Sequence, residues 1–239
     1  MSWVPRIRPS GDSALVVEFE ERIDPAVSAR VLDLDRGLAA APPEGVLETL
    51  PTYRTLLVRF DPLRTDVAAL EAELLSRAAR ARGDAAPGRL WRVPVAYGGA
   101  HGEDLDSVAR ARDMTAEDVV RIHSGTVYHV YMIGFVPGFT YLGGLDPRLH
   151  LSRRIDPRLK VPGGTISIGG QQAAVQSIAA PSGWHLLGRT PLRVFDMRRD
   201  PPFLIAPGDR VAFTPIDPAT YDRLAERAER GEIVAEVEP

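Results

Sequence analysis

Apolar positions in the first eighty residues recur at two periods, and the switches between them mark out the elements. Runs at residues 4–8 and 14–19 read as short strands joined by the turn cluster Pro9-Ser10-Gly11-Asp12. Asp24-Pro25 has the chemistry of a helix start, with an acceptor side chain at the N-cap and proline at the first helical position. Val27, Val31, Leu34 and Leu38 follow at helical spacing and give that helix one apolar face. Residues 46–50 and 55–60 read as a second strand pair around Pro51-Thr52-Tyr53. A second helix runs from about Thr65, with Val67, Leu70, Leu74 and Ala78 on one stripe and Gly83 near its end. The order strand, strand, helix therefore occurs twice, which predicts two helices covering one face of a four-stranded antiparallel sheet.

Residues 83–88 are small, polar and rich in breakers, so a domain boundary is expected there, between an N-terminal domain of residues 1–86 and a C-terminal domain of residues 87–239. Residues 90–96 read as a strand, and 105–111 and 116–124 as short helices, the second opened by a capping-box pattern from Thr115 to Asp118. Beyond Val127 the helical period vanishes. Apolar pieces at 127–133, 165–168, 192–195 and 210–213 alternate with turn clusters, the pattern of a small sandwich or barrel. Residues 206–210 make a tight turn into the last barrel strand, and Asp217-Pro218 opens a final helix. The expected fold class is α+β: an N-terminal two-helix, four-stranded antiparallel α/β sandwich, then a mainly β domain.

The 239 residues can bury a substantial core in either one large domain or two small ones. A net charge of −3 with scattered Lys and Arg gives no reason to expect nucleic acid. With no cysteine, disulfides, thiolate catalysis and Cys-ligated zinc are excluded. No apolar run reaches spanning length and the N-terminus lacks a signal-peptide core, so a soluble, cytoplasmic chain with no membrane partner is expected. The acidic end (Glu226, Glu229, Glu232, Glu236, Glu238) reads as solvated surface.

Candidate chemistry concentrates between Gly134 and Pro191. Residues 134–144 mix glycine and proline with Phe135, Phe139 and Tyr141, which suits either the walls of a ligand pocket or a plug closing a barrel end. Arg153, Arg154, Arg158 and Lys160 form an anion-binding rim or a set of solvated loop charges, some paired with Asp146 and Asp156; closeness to the aromatic run favours Arg154 and Arg158. Gln171, beside Gly169-Gly170, offers donor and acceptor together to a planar polar ligand, or caps a hairpin. The segments 181–185 and 188–191 repeat the mixture and add Trp184 and Arg189. Ser182 and His185 lack nucleophile-elbow spacing and a third member, so no serine triad is expected and no catalytic residue is identifiable. His123 reads as a surface or helix-end residue, and five scattered histidines make no metal site. Neither a phosphate loop nor a dinucleotide glycine fingerprint is present.

The run Gly-Phe-x-Pro-Gly-Phe-x-Tyr-Leu-Gly-Gly-Leu-Asp-Pro-Arg-Leu at 134–149 closely resembles the allophanate hydrolase subunit 1 family, which includes the B subunits of 5-oxoprolinases and an inhibitor of a sporulation histidine kinase. Arg153-Arg154, Pro157-Arg158, Ser182-Gly183-Trp184, residues 188–191 and residues 206–211 carry the same likeness, as do 50–54 and 60–63 upstream. The resemblance implies a C-terminal cyclophilin-like β-barrel and a homologous-barrel partner of the allophanate hydrolase subunit 2 type, the C subunit of 5-oxoprolinases. With a third subunit, such assemblies open 5-oxo-L-proline to L-glutamate using ATP. Phe135, Phe139, Tyr141 and Trp184 would then shape the pocket, Arg154, Arg158 and Arg189 bind anionic groups, and Gln171 orient a carbonyl or amide. The alternatives it implies are a biotin-dependent urea carboxylase-type carboxyltransferase component and a non-catalytic histidine kinase inhibitor. Departures from the family pattern, such as Ser152 before the arginine pair and residues 172–177 after Gln171, fall in the candidate site loops.

Overall fold

The computed structural model describes residues 4–84 and 88–238. Internal contacts divide the chain at 86/87 into two compact units; the linker residues 85–87, on which the expected boundary falls, lie outside the described residues.

The first unit is a four-stranded antiparallel sheet with two helices. Its elements are β1 (Arg6–Pro9), β2 (Ala14–Glu18), α1 (Pro25–Ala40), β3 (Val46–Pro51), β4 (Thr55–Phe60) and α2 (Val67–Arg80), with strand order β1-β2-β4-β3. Alternation sets the face: Leu15 and Val17 on β2 and Leu56, Val58 and Phe60 on β4 are buried together with Val27, Val31, Leu34 and Leu38 of α1 and Leu70, Leu74 and Ala78 of α2. Asp24 Oδ1 accepts from the Ala26 N–H at 2.8 Å, and Asp66 caps α2 in the same way. The second helix starts two residues later than its pattern suggested, which leaves Val67 in the first turn and exposed.

The second unit is a closed barrel with helices and an added edge strand. It contains β5 (Leu90–Tyr97), α3 (Leu105–Ala111), α4 (Ala116–Ser124), β6 (Val127–Ile133), β7 (Thr140–Gly143), β8 (Arg158–Val161), β9 (Thr165–Gly169), β10 (Gln172–Val175), β11 (Ala180–Ser182), β12 (His185–Arg189), β13 (Arg210–Pro215), α5 (Pro218–Glu229) and β14 (Glu236–Glu238). Seven strands run in the order β12-β9-β10-β7-β6-β13-β5, and β12 pairs with β5 to close the ring. β5 and β13 are parallel, with Val211 opposite Trp91 and Phe213 opposite Val93. The interior is filled by Val93, Val95, Tyr128, Val130, Leu142, Ile166, Ile168, Leu187 and Phe213 among others, so the barrel is a packed core.

Local chemistry explains the joints. The capping box of α4 is formed from both ends by Thr115 and Asp118. Asp209 organises the turn into β13: its buried carboxylate accepts from Trp91 Nε1 at 2.9 Å, the Arg89 N–H at 3.1 Å and the Ala206 N–H at 3.0 Å. Residues 192–195, expected as a strand, are not one; within them Phe195 makes a single bridge to Phe203. The strands at 140–143, 158–161, 172–175, 180–182 and 185–189 are short and bounded by glycine or proline, so their pattern was hidden among turn signals. His123 is also corrected. It is fully buried, with Nδ1 2.8 Å from the Tyr97 hydroxyl and its ring stacked 4.8 Å from Phe213. The acidic end is exposed but largely ion-paired, through Glu229–Arg193, Glu232–Arg227 and Glu238–Arg92.

Candidate functional site

Residues 134–139 fold into a tight loop between β6 and β7. The Gly134 N–H donates to Phe139 O and the Phe139 N–H to Val136 O. Phe135 sits in the left-handed region at φ 67°, where an aromatic residue costs roughly 1–2 kcal/mol. That conformation holds its ring 63% exposed. Phe139, by contrast, is buried with Trp184 and Ala174.

A cavity of about 450 Å³ opens on this loop. Phe135, Phe139, Tyr141 and Trp184 line it together with Arg153, Arg154 and Ile155 from the β7–β8 connection. The rings meet edge to face: Phe139 lies 4.7 Å from Tyr141 and 6.2 Å from Trp184, and Phe135 lies 5.7 Å from Phe139. Trp184 is seated by Gly169, where any Cβ would come within 2.8 Å of the indole. Burial raises the pKa of the Tyr141 hydroxyl, with the charge of Arg153 pulling the other way, so the phenol is neutral at neutral pH.

The cations of the loop are sorted by one carboxylate that lies far away in sequence. Asp104, 5% exposed, receives both prongs of Arg158, at 2.9 and 2.8 Å, together with Arg154 Nη1 at 3.2 Å and the Leu186 N–H at 2.8 Å. Burial alone would push the Asp104 carboxyl up; Arg158, the Leu186 amide and Arg154 outweigh it and hold it below the usual carboxylate range. Arg158 also approaches Glu103 at 3.4 Å. Arg153, by contrast, makes no hydrogen bond or ion pair among the described residues; its guanidinium lies 5.5 Å from the centre of the Trp184 ring.

Of the residues singled out from sequence, the structure brings Phe135, Phe139, Tyr141, Arg154 and Trp184 to one cavity. Three lie elsewhere. Arg158 is turned onto Asp104, Gln171 sits exposed at the tip of the β9–β10 hairpin, and Arg189 lines a different cavity. The loop arginines pair with Asp104 and Glu103 rather than with Asp146 or Asp156; Asp146 holds Arg148. Arg153 ranked below its neighbours on sequence grounds, because nothing local reveals which arginine Asp104 neutralises. Ser182 and His185 do not pair: Ser182 Oγ accepts from the Trp184 N–H, and His185 Nε2 contacts Ser152 O at 2.8 Å.

An aromatic cleft with one unopposed guanidinium suits a small planar ligand bearing an anionic group. The described residues include no group of three or more His, Cys, Asp or Glu able to hold a metal ion, and no helix among them is long and apolar enough to cross a membrane.

Comparison with known proteins agrees with the architecture. Residues 5–205 match the family "Carboxyltransferase domain, subdomain C and D". The B subunit of 5-oxoprolinase from Bacillus subtilis (strain 168) is 33% identical over 93% of this chain and 98% of its own length. That of Escherichia coli O157:H7 is 40% identical over 86% of this chain and 93% of its own. The crystal structure of TTHA0988 superposes with a TM-score of 0.77 at 33% identity, covering 89% of this chain; the chain spans 40% of that longer protein. With its seven-stranded closed barrel, its separate four-stranded sheet and this similarity over nearly its whole length, the chain belongs to the carboxyltransferase subdomain C and D family, among the B subunits of 5-oxoprolinases.

Proposed function

We propose that this chain is one component of a heteromeric, ATP-dependent 5-oxoprolinase that opens 5-oxo-L-proline to L-glutamate, working with a homologous-barrel partner of the C-subunit type and a third subunit, and inactive by itself. The observation that carries the reading is the 33–40% identity, over most of the chain, to proteins named as B subunits of 5-oxoprolinase. The same relationship supports assigning the barrel to the cyclophilin-like type, the N-terminal unit to the two-helix sandwich type, and residues 1–86 and 87–239 to separate domains.

The cleft chemistry is compatible with such a ligand. A lactam ring is flat and apolar on both faces, matching the walls made by Phe139, Tyr141 and Trp184, while its carboxylate matches the unpaired fork of Arg153. Opening the ring means adding water across the amide C–N bond, so that the carbonyl carbon becomes a carboxylate and the nitrogen an amine. This chain's part in that reaction is to bind and orient the ring and to keep bulk water from its faces. The cleft is not a triphosphate site by itself, since one free guanidinium is too little charge and no cluster of metal-ligating side chains stands beside it among the described residues. ATP binding is therefore assigned to the assembled complex.

The test is co-expression with the partner subunits followed by an ATPase assay. The complete assembly should hydrolyse ATP in response to 5-oxoproline, the isolated chain should not, and Arg153→Gln should raise KM for 5-oxoproline about tenfold or more, the loss of one charge-assisted hydrogen bond. An intact assembly with no 5-oxoproline-dependent ATPase would overturn the proposal. The family description favours one second reading, a carboxyltransferase component acting with a biotin carrier. Carboxyl transfer from biotin by the purified assembly would replace the first reading with the second.

A further inference from the structure

The second cavity, about 290 Å³, is lined by Gly163, Ser177, Arg189, Phe195 and Tyr221 among others and shares no lining residue with the aromatic cleft. The 134–139 loop touches its rim: Ser177 Oγ donates to Pro137 O at 2.5 Å, and Gly138 packs so closely on Phe195 that a Cβ there would meet it at 2.6 Å. Ser177 and Phe195 in turn line the second cavity.

Arg189 is its central charge. The residue is the last of β12, where the barrel closes, and its backbone is paired with Thr165 on one side and Ala96 on the other. From this rigid base the guanidinium extends 5.8 Å over the ring of Tyr221 on α5. No carboxylate comes within ion-pair distance of it among the described residues. Its single hydrogen bond, from Nη2 to Gly163 O, is long at 3.4 Å, and Nε is buried with no partner. A half-buried guanidinium with most of its donors unused is costly, and folded proteins ordinarily pair such a group. The other two charges lining the cavity cancel each other, since Arg193 holds Glu229 at 2.9 Å. A single positive charge remains in a cleft large enough for an amino acid.

We propose that this cavity is a second, separate anion site that takes the carboxylate of an amino-acid-sized ligand on the fork of Arg189. A planar carboxylate matches the guanidinium in two parallel hydrogen bonds, and its single negative charge balances the one positive charge that the Arg193–Glu229 pair leaves in the cavity, which a doubly charged phosphate would exceed. The inference does not rest on the lactam reading of the aromatic cleft, and Arg153 variants separate the two.

The test is NMR titration of the full-length chain. L-glutamate is the probe and inorganic phosphate the contrasting anion, with backbone amides of Gly164 and Thr190 and the Arg189 Nε–H as reporters. L-glutamate should shift these signals saturably in the wild type and equally in Arg153→Gln. Arg189→Gln should weaken the binding at least about tenfold, as expected for losing a charge-assisted pair. Arg189→Lys, which keeps the charge but not the fork, should fall between and guards against a folding artefact, with thermal melts of both variants as a check. No saturable shift with L-glutamate, binding by Arg189→Gln within twofold of wild type, or saturation by phosphate alone would each overturn the assignment.

Discussion

Replacing Asp104 by Asn should loosen the cation loop while leaving the shape of its side chain nearly unchanged. In the wild type the carboxylate receives three guanidinium hydrogen bonds, two from Arg158 and one from Arg154, plus the Leu186 amide. Charge-assisted bonds contribute about 1 kcal/mol more than neutral ones, so three of them amount to about 3 kcal/mol. Arg154 and Arg158 are both partly exposed, and solvent screening lowers that to about 2 kcal/mol. An asparagine amide also turns donors toward guanidinium donors. The barrel unit should therefore melt roughly 4–8 °C lower, using about 2–4 °C per kcal/mol for a unit of this size. Urea denaturation of Asp104→Asn against Glu103→Gln checks the assignment, because Glu103 is 64% exposed and touches Arg158 only at 3.4 Å. The pH dependence gives a second readout. The folded carboxyl is held below its ordinary value, so its contribution is complete above the unfolded pKa and is lost as pH falls through the folded one. Asp104→Asn should thus lose less stability than wild type on acidification. A variant as stable as Glu103→Gln, with unchanged acid sensitivity, would refute the view that Asp104 organises the loop.

Two further outcomes are expected. Burial pushes the His123 imidazole down from 6.5 to about 3, so the unfolded chain takes up a proton below pH 6.5 that the folded chain refuses; stability is complete above that pH and falls by up to about 1.4 kcal/mol per pH unit beneath it. Between pH 7 and pH 5 the wild type should lose roughly 2 kcal/mol more than His123→Phe in urea unfolding, and parallel curves would show that the imidazole is not held neutral. Gly169→Ala should displace the Trp184 ring and cost about 1–3 kcal/mol from overpacking; an unchanged melting temperature and near-UV circular dichroism would contradict the contact.

The N-terminal unit was legible because its signals are local. Asp24-Pro25 and the Val27, Val31, Leu34, Leu38 stripe are cap and period within one helix, and one strand pair leads into each of the two helices. The barrel was legible in kind but not in detail. Strands of three to five residues between glycines give too few alternations to register, and 192–195 is apolar because Leu192 and Val194 are buried in the barrel core, while its pairing is limited to the Phe195–Phe203 bridge. His123 misled because it closes a helix with a polar outer face, while the groups that bury it, Tyr97 and Phe213, come from strands on either side of it in sequence.

The sequence by itself determined the family and the division of the chain between an α/β half and a glycine-aromatic barrel half. Those rest on residue order and on side chains whose neighbours are close along the chain. Only the tertiary structure decided which arginine is free. Asp104 reaches the 153–158 loop across fifty residues and neutralises Arg154 and Arg158, leaving Arg153 in the cleft and, at the barrel seam, Arg189 in a cavity of its own. Charge in a folded protein is a property of pairs, and the partners here are brought together by closure of the barrel rather than by proximity in the chain.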